Sequence, residues 1–391
     1  MKDRIYLDYA ASTPIDPEVA MVMREVAERK FGNPSSLHSF GQEAQIALDA
    51  ARTLCMGVLN AAFDELYFTG SATEADNWAV FGAVRKFLAD NPGKVPHIIC
   101  SAIEHEAILE PLKYLRDQHI IELDIVPCDQ AGKISVSAVR DALRENTILV
   151  SIIYVNNEIG SVQDIPAIAA AVREYRTAHQ SSYPLMHTDA VQAVQFFPRD
   201  TKALGVDMMT LSAHKLYGPK GVGILFIKKY SPLLPLLFGG GQEHMLRSGT
   251  ENTAGIAGMA KALELVQQSS PTERERLGAL KEFFVNAVLA LDQRIAINGP
   301  AENGAPHIAN FYFPQRPADE LLILLDQAGV AVSAGSACLA RATKTSYVIA
   351  ALNYPQTDRA RHSLRFSFGR ETTKELLEVA VEKLRAILAP R

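Results

Sequence analysis

Short apolar runs alternate with longer amphipathic stretches along most of the chain. "DELYFTG" (64–70) has the length and residue types of a strand, and "ATEADNWAVFGAVRKFLAD" (72–90) follows with helical spacing. The pair repeats: strand "HIICSAIEH" (97–105) and helix "EAILEPLKYLRDQH" (106–119), then strand "ELDIVPC" (122–128). "TILVSIIYVNNEIG" (147–160) is a strand ending in a polar loop, followed by the helix "IPAIAAAVREYRTAHQ" (165–180). "PLMHTDAVQ" (184–192), "DMMTLSAHK" (207–215) and "GVGILFIKK" (221–229) are further strands. Strand and helix in alternation predict βαβ units around a mostly parallel sheet. "SSPTERERLGALKEFFVNAVLAL" (269–291) reads as a long helix that could bridge to a second domain. Beyond it, strands "HIANFYF" (307–313) and "SLRFSFG" (363–369) mix with helices 318–329 and 373–389, as in a smaller α/β unit.

Composition narrows the class. The 391 residues are 48% hydrophobic and 21% charged, as in soluble globular proteins. The length suits two domains, or a large one with a smaller one attached. The net charge of -5 argues against a nucleic-acid surface. No apolar run is long enough to span a bilayer, and "MKDRIYLDYAASTP" lacks the apolar stretch of a signal peptide. Four scattered cysteines form neither a disulfide framework nor a metal-binding spacing, so a reducing, cytoplasmic compartment and no metal site are expected.

The polar residues cluster where the predicted strands end, and ligands of open parallel sheets bind there. "TGSATEADN" places small and hydroxylated residues before a helix. Its free N–H groups would suit a phosphate, although N-capping by Ser71 or Thr73 explains them equally well. His105 in "EHEA" could stack on a flat ring or sit on the surface. "NNEIG" could be turn chemistry. Asp189 in "HTDAVQ" ends an apolar strand and needs a cationic or hydrogen-bonding partner. Ser212, His214 and Lys215 end another strand before a turn rich in glycine and proline, 26 residues after Asp189. A lysine, a carboxylate and a phosphate cradle are the set that pyridoxal 5'-phosphate requires. Cys338, in "SAGSACLARATKTS", has neighbours too small and polar to bury it and cations nearby that favour a thiolate. Cys55, Cys100 and Cys128 sit in apolar stretches and are read as packing residues.

Ten stretches in order resemble one family: "YLDYAASTP", "GNPSSLH", "ATEADN", "EHEA", "VNNEIG", "HTDAVQ", "SAHKLYGPKGVG", "RSGTEN", "SAGSAC" and "RFSFGR". The chain resembles the cysteine desulfurases, pyridoxal-phosphate enzymes of the aminotransferase class V group, similar to the NifS and IscS types. The resemblance implies the fold type I of pyridoxal-phosphate transferases. A large domain (16–262) would hold a mostly parallel seven-stranded sheet, and a small α/β domain (1–15 and 263–391) would carry the cysteine loop. It implies that Lys215 holds the cofactor as a Schiff base and that Asp189 pairs with the ring nitrogen. Gln192 and Asn157 would meet the ring oxygen, and His105 would stack on the ring and help move protons. Ala72, Thr73, Ser212 and His214 would bind the phosphate, and Thr250 would reach the phosphate of a neighbouring subunit in an obligate homodimer. Arg365, supported by Asn33, would clamp the carboxylate of L-cysteine. Cys338 would take its sulfur as a persulfide, leaving L-alanine, and pass it to an acceptor protein for iron–sulfur cluster assembly or tRNA thiolation. Cys338 would also ligate a cluster transiently with a scaffold partner. No direct contact with nucleic acid or membrane is implied.

Three positions depart from the family's pattern. Gly70-Ser71 stands where Ser-Gly is usual, and a positive φ at Ser71 would cost about 1 kcal/mol. Thr345 replaces a proline after the cysteine loop, and Tyr154 stands where histidine is common. Two other classes compete: a selenocysteine lyase, aminotransferase or β-lyase that does not use Cys338, and a non-catalytic sulfur-relay scaffold. Lys215, Asp189 and Cys338 together argue against the scaffold, which needs none of them.

Overall fold

The structure, a computed structural model, describes residues 4–335 and 345–389. Seven strands form the main sheet: β2 (Leu66–Thr69), β3 (His97–Ser101), β4 (Glu122–Val126), β5 (Thr147–Ser151), β6 (Leu185–Asp189), β7 (Met208–Ser212) and β8 (Gly223–Ile227). Their order is β2-β8-β7-β6-β5-β3-β4. Only β8 runs against its neighbours, pairing antiparallel with both β2 and β7. The mostly parallel sheet expected from the alternating pattern is therefore present, with the seven strands that the resemblance implies.

Side chains of a strand point alternately to the two faces, so each strand feeds two layers. Ile98 and Cys100 pack with Trp78, Ala79 and Val84 of α3 (Ala72–Asp90) and with Ile108 and Leu112 of α4 (Glu106–Asp117). Ile99 and Val150 face the other layer, with Ile168 of α6 (Ile165–Ala178) and Ile256, Met259 and Leu263 of α8 (Thr253–Leu289). Such two-sided burial explains why β3, β5, β6, β7 and β8 are buried along their whole length. The shorter helices α5 (Val136–Ala142) and α7 (Thr201–Leu204) pack on α6.

The chain start forms β1 (Ile5–Tyr6), which pairs in parallel with β11 (Val330–Ala331). A three-stranded antiparallel sheet runs in the order β12 (Ser363–Ser367), β10 (Ile308–Tyr312), β9 (Ala296–Asn298). Its core is aromatic: Phe284 lies 5.1 Å from Phe366, 5.4 Å from Phe368 and 6.0 Å from Phe311, ring centre to ring centre. The helices α9 (Ala318–Gln327), α10 (Tyr347–Ala351) and α11 (Lys374–Leu388) complete this part. In chain order α1 (Pro17–Arg29) and α2 (Ser39–Leu59) precede the main sheet and pack on α8.

One element begins elsewhere than expected. The helix read from residue 269 starts at Thr253, capped by the Asn252 side chain on the Gly255 N–H, and keeps Pro271 inside. Its first half is rich in glycine and alanine and shows no amphipathic period. Gly258 is the reason for the small residues: a Cβ there would fall 2.6 Å from Met23 of α1. Near the proline, Ser269 Oγ donates to the Leu265 carbonyl. The division expected between residues 262 and 263 therefore falls within a continuous helix.

Phe284 carries the α8 end of the aromatic core and is fully buried. Phe284→Ala is expected to destabilise the protein by about 3–5 kcal/mol. Denaturant melting checks this, and a loss below about 1 kcal/mol would mean that the core collapses around the gap.

Candidate active site

The polar residues singled out in the sequence gather at one edge of the main sheet, beyond the carboxyl ends of its parallel strands. β2 runs in the same sense as those strands, so the turn from β2 into α3 opens at the same edge. Lys215 closes a short turn (Ala213–Lys215) directly after β7. Its Nζ donates to the carbonyls of Ala10 at 2.5 Å and Ala11 at 2.7 Å, and its own carbonyl accepts from Gln195 Nε2. Burial pulls the Lys215 amine down to about 8 and the Arg365 charge adds to this, while Asp8 and Asp189 oppose it. A lysine so placed is neutral far more often than a surface lysine at the same pH.

Asp189 ends β6 and is buried. One carboxyl oxygen accepts the Val191 N–H at 2.9 Å. Burial pushes this carboxyl up from the ordinary range, and the nearby His105 and Lys215 work against that shift. His105 caps α4: its Nδ1 accepts the Ala107 N–H at 3.1 Å, which leaves Nε2 to carry the proton of the neutral ring. His105 and Thr73 line one cavity of about 470 Å³ together with Asn77, Glu106 and Tyr114. Lys215, Asp189 and Arg365 do not line it.

The turn into α3 presents backbone N–H groups, of which that of Gly70 is taken by the Glu74 carboxylate at 2.8 Å. Ala72 and Thr73 are the first two residues of a 19-residue helix, whose N-terminal N–H groups are free of intrahelical partners. Ser71 caps that helix through its side chain on the Glu74 N–H, with φ -171 and ψ 166. The strain considered for Ser71 is absent, because this extended backbone suits any residue. Gly223 of β8 makes the close approach possible. A Cβ there would fall 2.8 Å from Thr69 Oγ1 and 2.7 Å from the Ser71 carbonyl carbon. Ser212 is buried at the end of β7. His214 Nδ1 lies 3.3 Å from Ser12 Oγ, and burial, then Lys215 and Lys220, bring this imidazole down to about 4.

The loop after β5 divides its two asparagines. Asn156 is turn chemistry, accepting the Glu158 and Ile159 N–H groups and donating to the Ile103 carbonyl. The Asn157 carbonyl accepts from Arg365 Nη1 at 2.8 Å. Arg365 Nη2 is paired with Asp8 at 2.7 Å, and its buried Nε has no hydrogen-bond partner among the described residues. Gln192 is buried, with its side chain between the Ala10 carbonyl and His307.

Two expected residues stand apart. Asn33 is exposed, and its Oδ1 accepts the Ser35 N–H; no contact among the described residues joins it to Arg365. Thr250 is exposed and lines a separate cavity of about 130 Å³ with Thr69, Gly70 and Arg247. Cys338 lies outside the described residues. Its described flanks are tied down: Ser333 pairs with the Arg365 backbone, and Ser346 Oγ donates to the buried Glu158 at 2.6 Å.

The profile of the aminotransferase class-V family matches residues 5–379. The chain belongs to that family. It is 42% identical to the cysteine desulfurase IscS of Dictyoglomus turgidum, over 99% of this chain and 97% of that protein. Among solved structures, a NifS-like protein superposes with a TM-score of 0.90 at 33% identity, covering 99% of each chain. SspA in complex with cysteine superposes at 0.80 with 32% identity, covering 93% of this chain and 98% of that one.

Several residues of this class-V site escaped the sequence reading. Asp8 was quoted within a motif but not assigned, and it is the ion-pair partner of Arg365. Asp76, one turn into α3, is buried near Asp189, and neither of its carboxyl oxygens has a hydrogen-bond partner among the described residues. The three described cysteines are unsuited to act as thiolates. Burial pushes Cys55 up to about 12 and raises Cys100 and Cys128 as well. Among the described residues, no group of three or more histidine, cysteine, aspartate or glutamate side chains could hold a metal ion. No helix there is long and apolar enough to cross a membrane.

Glu104, buried after β3, accepts from the Ser101 hydroxyl and, at 2.7 Å, from the Ile153 N–H. Burial raises this carboxyl from 4.5 to about 8, despite those hydrogen bonds. The folded state therefore holds a proton that the unfolded chain releases, and stability falls as pH rises through that interval. Glu104→Gln should flatten this fall, as read by urea melts at about pH 5 and about pH 8. Parallel pH curves for variant and wild type would show that Glu104 titrates normally.

Proposed function

We propose that this class-V chain is a pyridoxal 5'-phosphate-dependent cysteine desulfurase, a sulfurtransferase acting on L-cysteine. The observation that carries this reading is Lys215: a shielded amine of lowered basicity, held by two backbone carbonyls beside Asp189 and within the field of Arg365. The kinship to relatives named cysteine desulfurase supports the substrate. The residues present fit the cofactor. A helix N-terminus at Ala72 and Thr73 suits its phosphate, with Ser212 and His214 beside it. Asp189 suits its ring nitrogen, Gln192 and Asn157 its ring oxygen, and His105 its face.

Bound pyridoxal 5'-phosphate supplies the electron sink that makes the α-proton of an amino acid removable. The chain does the rest. Lys215 Nζ attaches the cofactor and moves the substrate's α-proton. Asp189 keeps a proton on the ring nitrogen. Arg365, with a buried Nε left over from its pair with Asp8, binds the carboxylate of L-cysteine. Cys338 accepts the sulfur as a persulfide and L-alanine leaves. In this reading residues 16–262 form the cofactor unit, and 1–15 with 263–391 form the unit that carries Cys338.

The working form is a homodimer in the cytoplasm, with Thr250 serving the partner's phosphate. Phe31, Leu37, Phe40 and Ile46 support this assembly: these large apolar side chains are exposed together around the loop from α1 to α2, which also holds Asn33. The persulfide passes to an acceptor protein of iron–sulfur assembly or tRNA thiolation.

A pulse of L-cysteine on the holoenzyme, followed by intact mass and peptide mapping, tests the reading. One added sulfur is expected on the peptide holding Cys338, with alanine released in equal amount. Sulfur on Cys100 or Cys128, or undiminished turnover in Cys338→Ser, overturns it.

The apo-protein gives a second test. A neutral amine is the nucleophile, so the rate of pyridoxal 5'-phosphate capture should rise with pH, half-maximal near pH 8, and then level off. Lys215→Ala should show no covalent capture. A rate that keeps rising to the range of a surface lysine would show that the site does not lower this amine.

A further inference from the structure

His307 directly precedes the strand β10 and is buried. Its ring rests on Phe196 at 4.7 Å, and its backbone carbonyl accepts the Phe368 N–H at 2.9 Å. Its Nε2 lies 3.1 Å from Gln192 Oε1. Gln192 Nε2 in turn donates to the Ala10 carbonyl at 2.9 Å. Lys215 Nζ donates to that same carbonyl. A chain of three contacts thus joins His307 to the lysine.

The direction of every proton in this chain follows from one atom. The Ala10 carbonyl can only accept, so the amide nitrogen of Gln192 must face it. The amide oxygen is then the atom turned to His307. That oxygen can only accept, so His307 Nε2 must carry a proton. Its Nδ1 has no hydrogen-bond partner among the described residues, and a neutral ring leaves Nδ1 as a bare lone pair. Neutrality fits the surroundings: burial first, then the charges of Lys281, Arg365 and Lys215, bring this imidazole down to about 3.

Gln192 has two N–H bonds, and the Ala10 carbonyl takes one of them. The amide's orientation decides whether the end of the side chain near Ala10 offers a second N–H or an oxygen lone pair to a ring oxygen. Without a donor at position 307, the amide oxygen would be buried and unpaired, and a flip would only turn that oxygen onto the Ala10 carbonyl, so the cost favours a shift of the side chain away from its place.

We propose that His307 is a positioning residue, which donates from Nε2 to Gln192 Oε1 and so fixes the Gln192 amide with its N–H groups toward Lys215 and the cofactor. This rests on the reading that Gln192 meets the ring oxygen of pyridoxal 5'-phosphate. An N–H donated there stabilises negative charge on that oxygen. Loss of the donor should weaken cofactor binding, and should raise the pH midpoint of the visible absorbance change of the holoenzyme.

The test uses the full-length protein in four single variants and one double variant. His307→Phe keeps a flat ring and removes the donor. It should raise the Kd for pyridoxal 5'-phosphate on the order of tenfold, the worth of one hydrogen bond, and shift the visible pH midpoint upward. His307→Gln places an amide N–H where Nε2 was and should restore both. His307→Asn ends short of Gln192 and should behave like His307→Phe, so it serves if the phenylalanine variant does not fold. Gln192→Ala is the control for the underlying reading. If it changes both readouts while His307→Phe and His307→Asn change neither, the inference fails and the reading of Gln192 stands. If Gln192→Ala changes neither, that reading is wrong and the inference falls with it. Combining His307→Phe with Gln192→Ala should add nothing to Gln192→Ala alone. A full further loss would show that His307 acts by another route.

Discussion

A shielded amine needs acceptors, and Lys215 finds them in the backbone of the chain's own beginning. The carbonyls of Ala10 and Ala11 receive its hydrogen bonds. The same short segment ties down most of what surrounds the lysine. Thr13 bonds the His214 carbonyl through both its N–H and its hydroxyl, and its hydroxyl oxygen accepts the Tyr217 N–H. Ala10 N–H reaches Ser367 Oγ, and Asp8 pairs with Arg365. Residues 8–13 therefore hold together groups from the turn after β7, from β12 and from Tyr217. The amine, the guanidinium and the two sheets share one backbone support.

This arrangement joins parts of the chain that lie more than 350 residues apart, as in the Asp8–Arg365 pair. It also sets the electrostatics. Arg365 lowers the basicity of Lys215, while Asp8, by pairing with Arg365, moderates that effect. An anionic substrate that engages the guanidinium competes with Asp8 for it. The site is thus poised by a carboxylate that does not itself touch the lysine.

The strands and most helices were legible because burial on both faces leaves an unbroken apolar run, and one-sided helices leave a period. The start of α8 was not, because its early turns use glycine and alanine for close packing against α1 and so carry no period. Lys215 and Asp189 were legible as charges at the ends of apolar strands, where a charge needs a reason. His307 carried no such signal, since a histidine opening the strand "HIANFYF" looks like any edge residue until Gln192 is seen opposite. Asp8 was hidden for a similar reason, because its partner lies on a distant strand. Asn33 and Thr250 entered through resemblance alone, and both sit on exposed surface, where a single chain gives them little to hold.

The buried carboxyls show how the site separates charge. Burial pushes both Asp76 and Asp189 toward the neutral form, and the charge of Asp189 pushes Asp76 further the same way. Two buried carboxylates without two cations cannot both stay ionised. His187 is the nearest basic group to Asp76, at 3.7 Å, but its ring is occupied by Ser151 and Thr210, and burial brings it down to about 3. It can give Asp76 no charge. Asp189 accepts the Val191 N–H and has His105 and Lys215 nearby to favour its anion, whereas burial and the charges of Asp189 and Glu104 all disfavour ionisation of Asp76. The proton therefore goes to Asp76 and the negative charge to Asp189, the carboxyl that faces the ring nitrogen in the proposed complex. A neutral acid placed behind an ionised one keeps the site's negative charge at the strand end, where it is used.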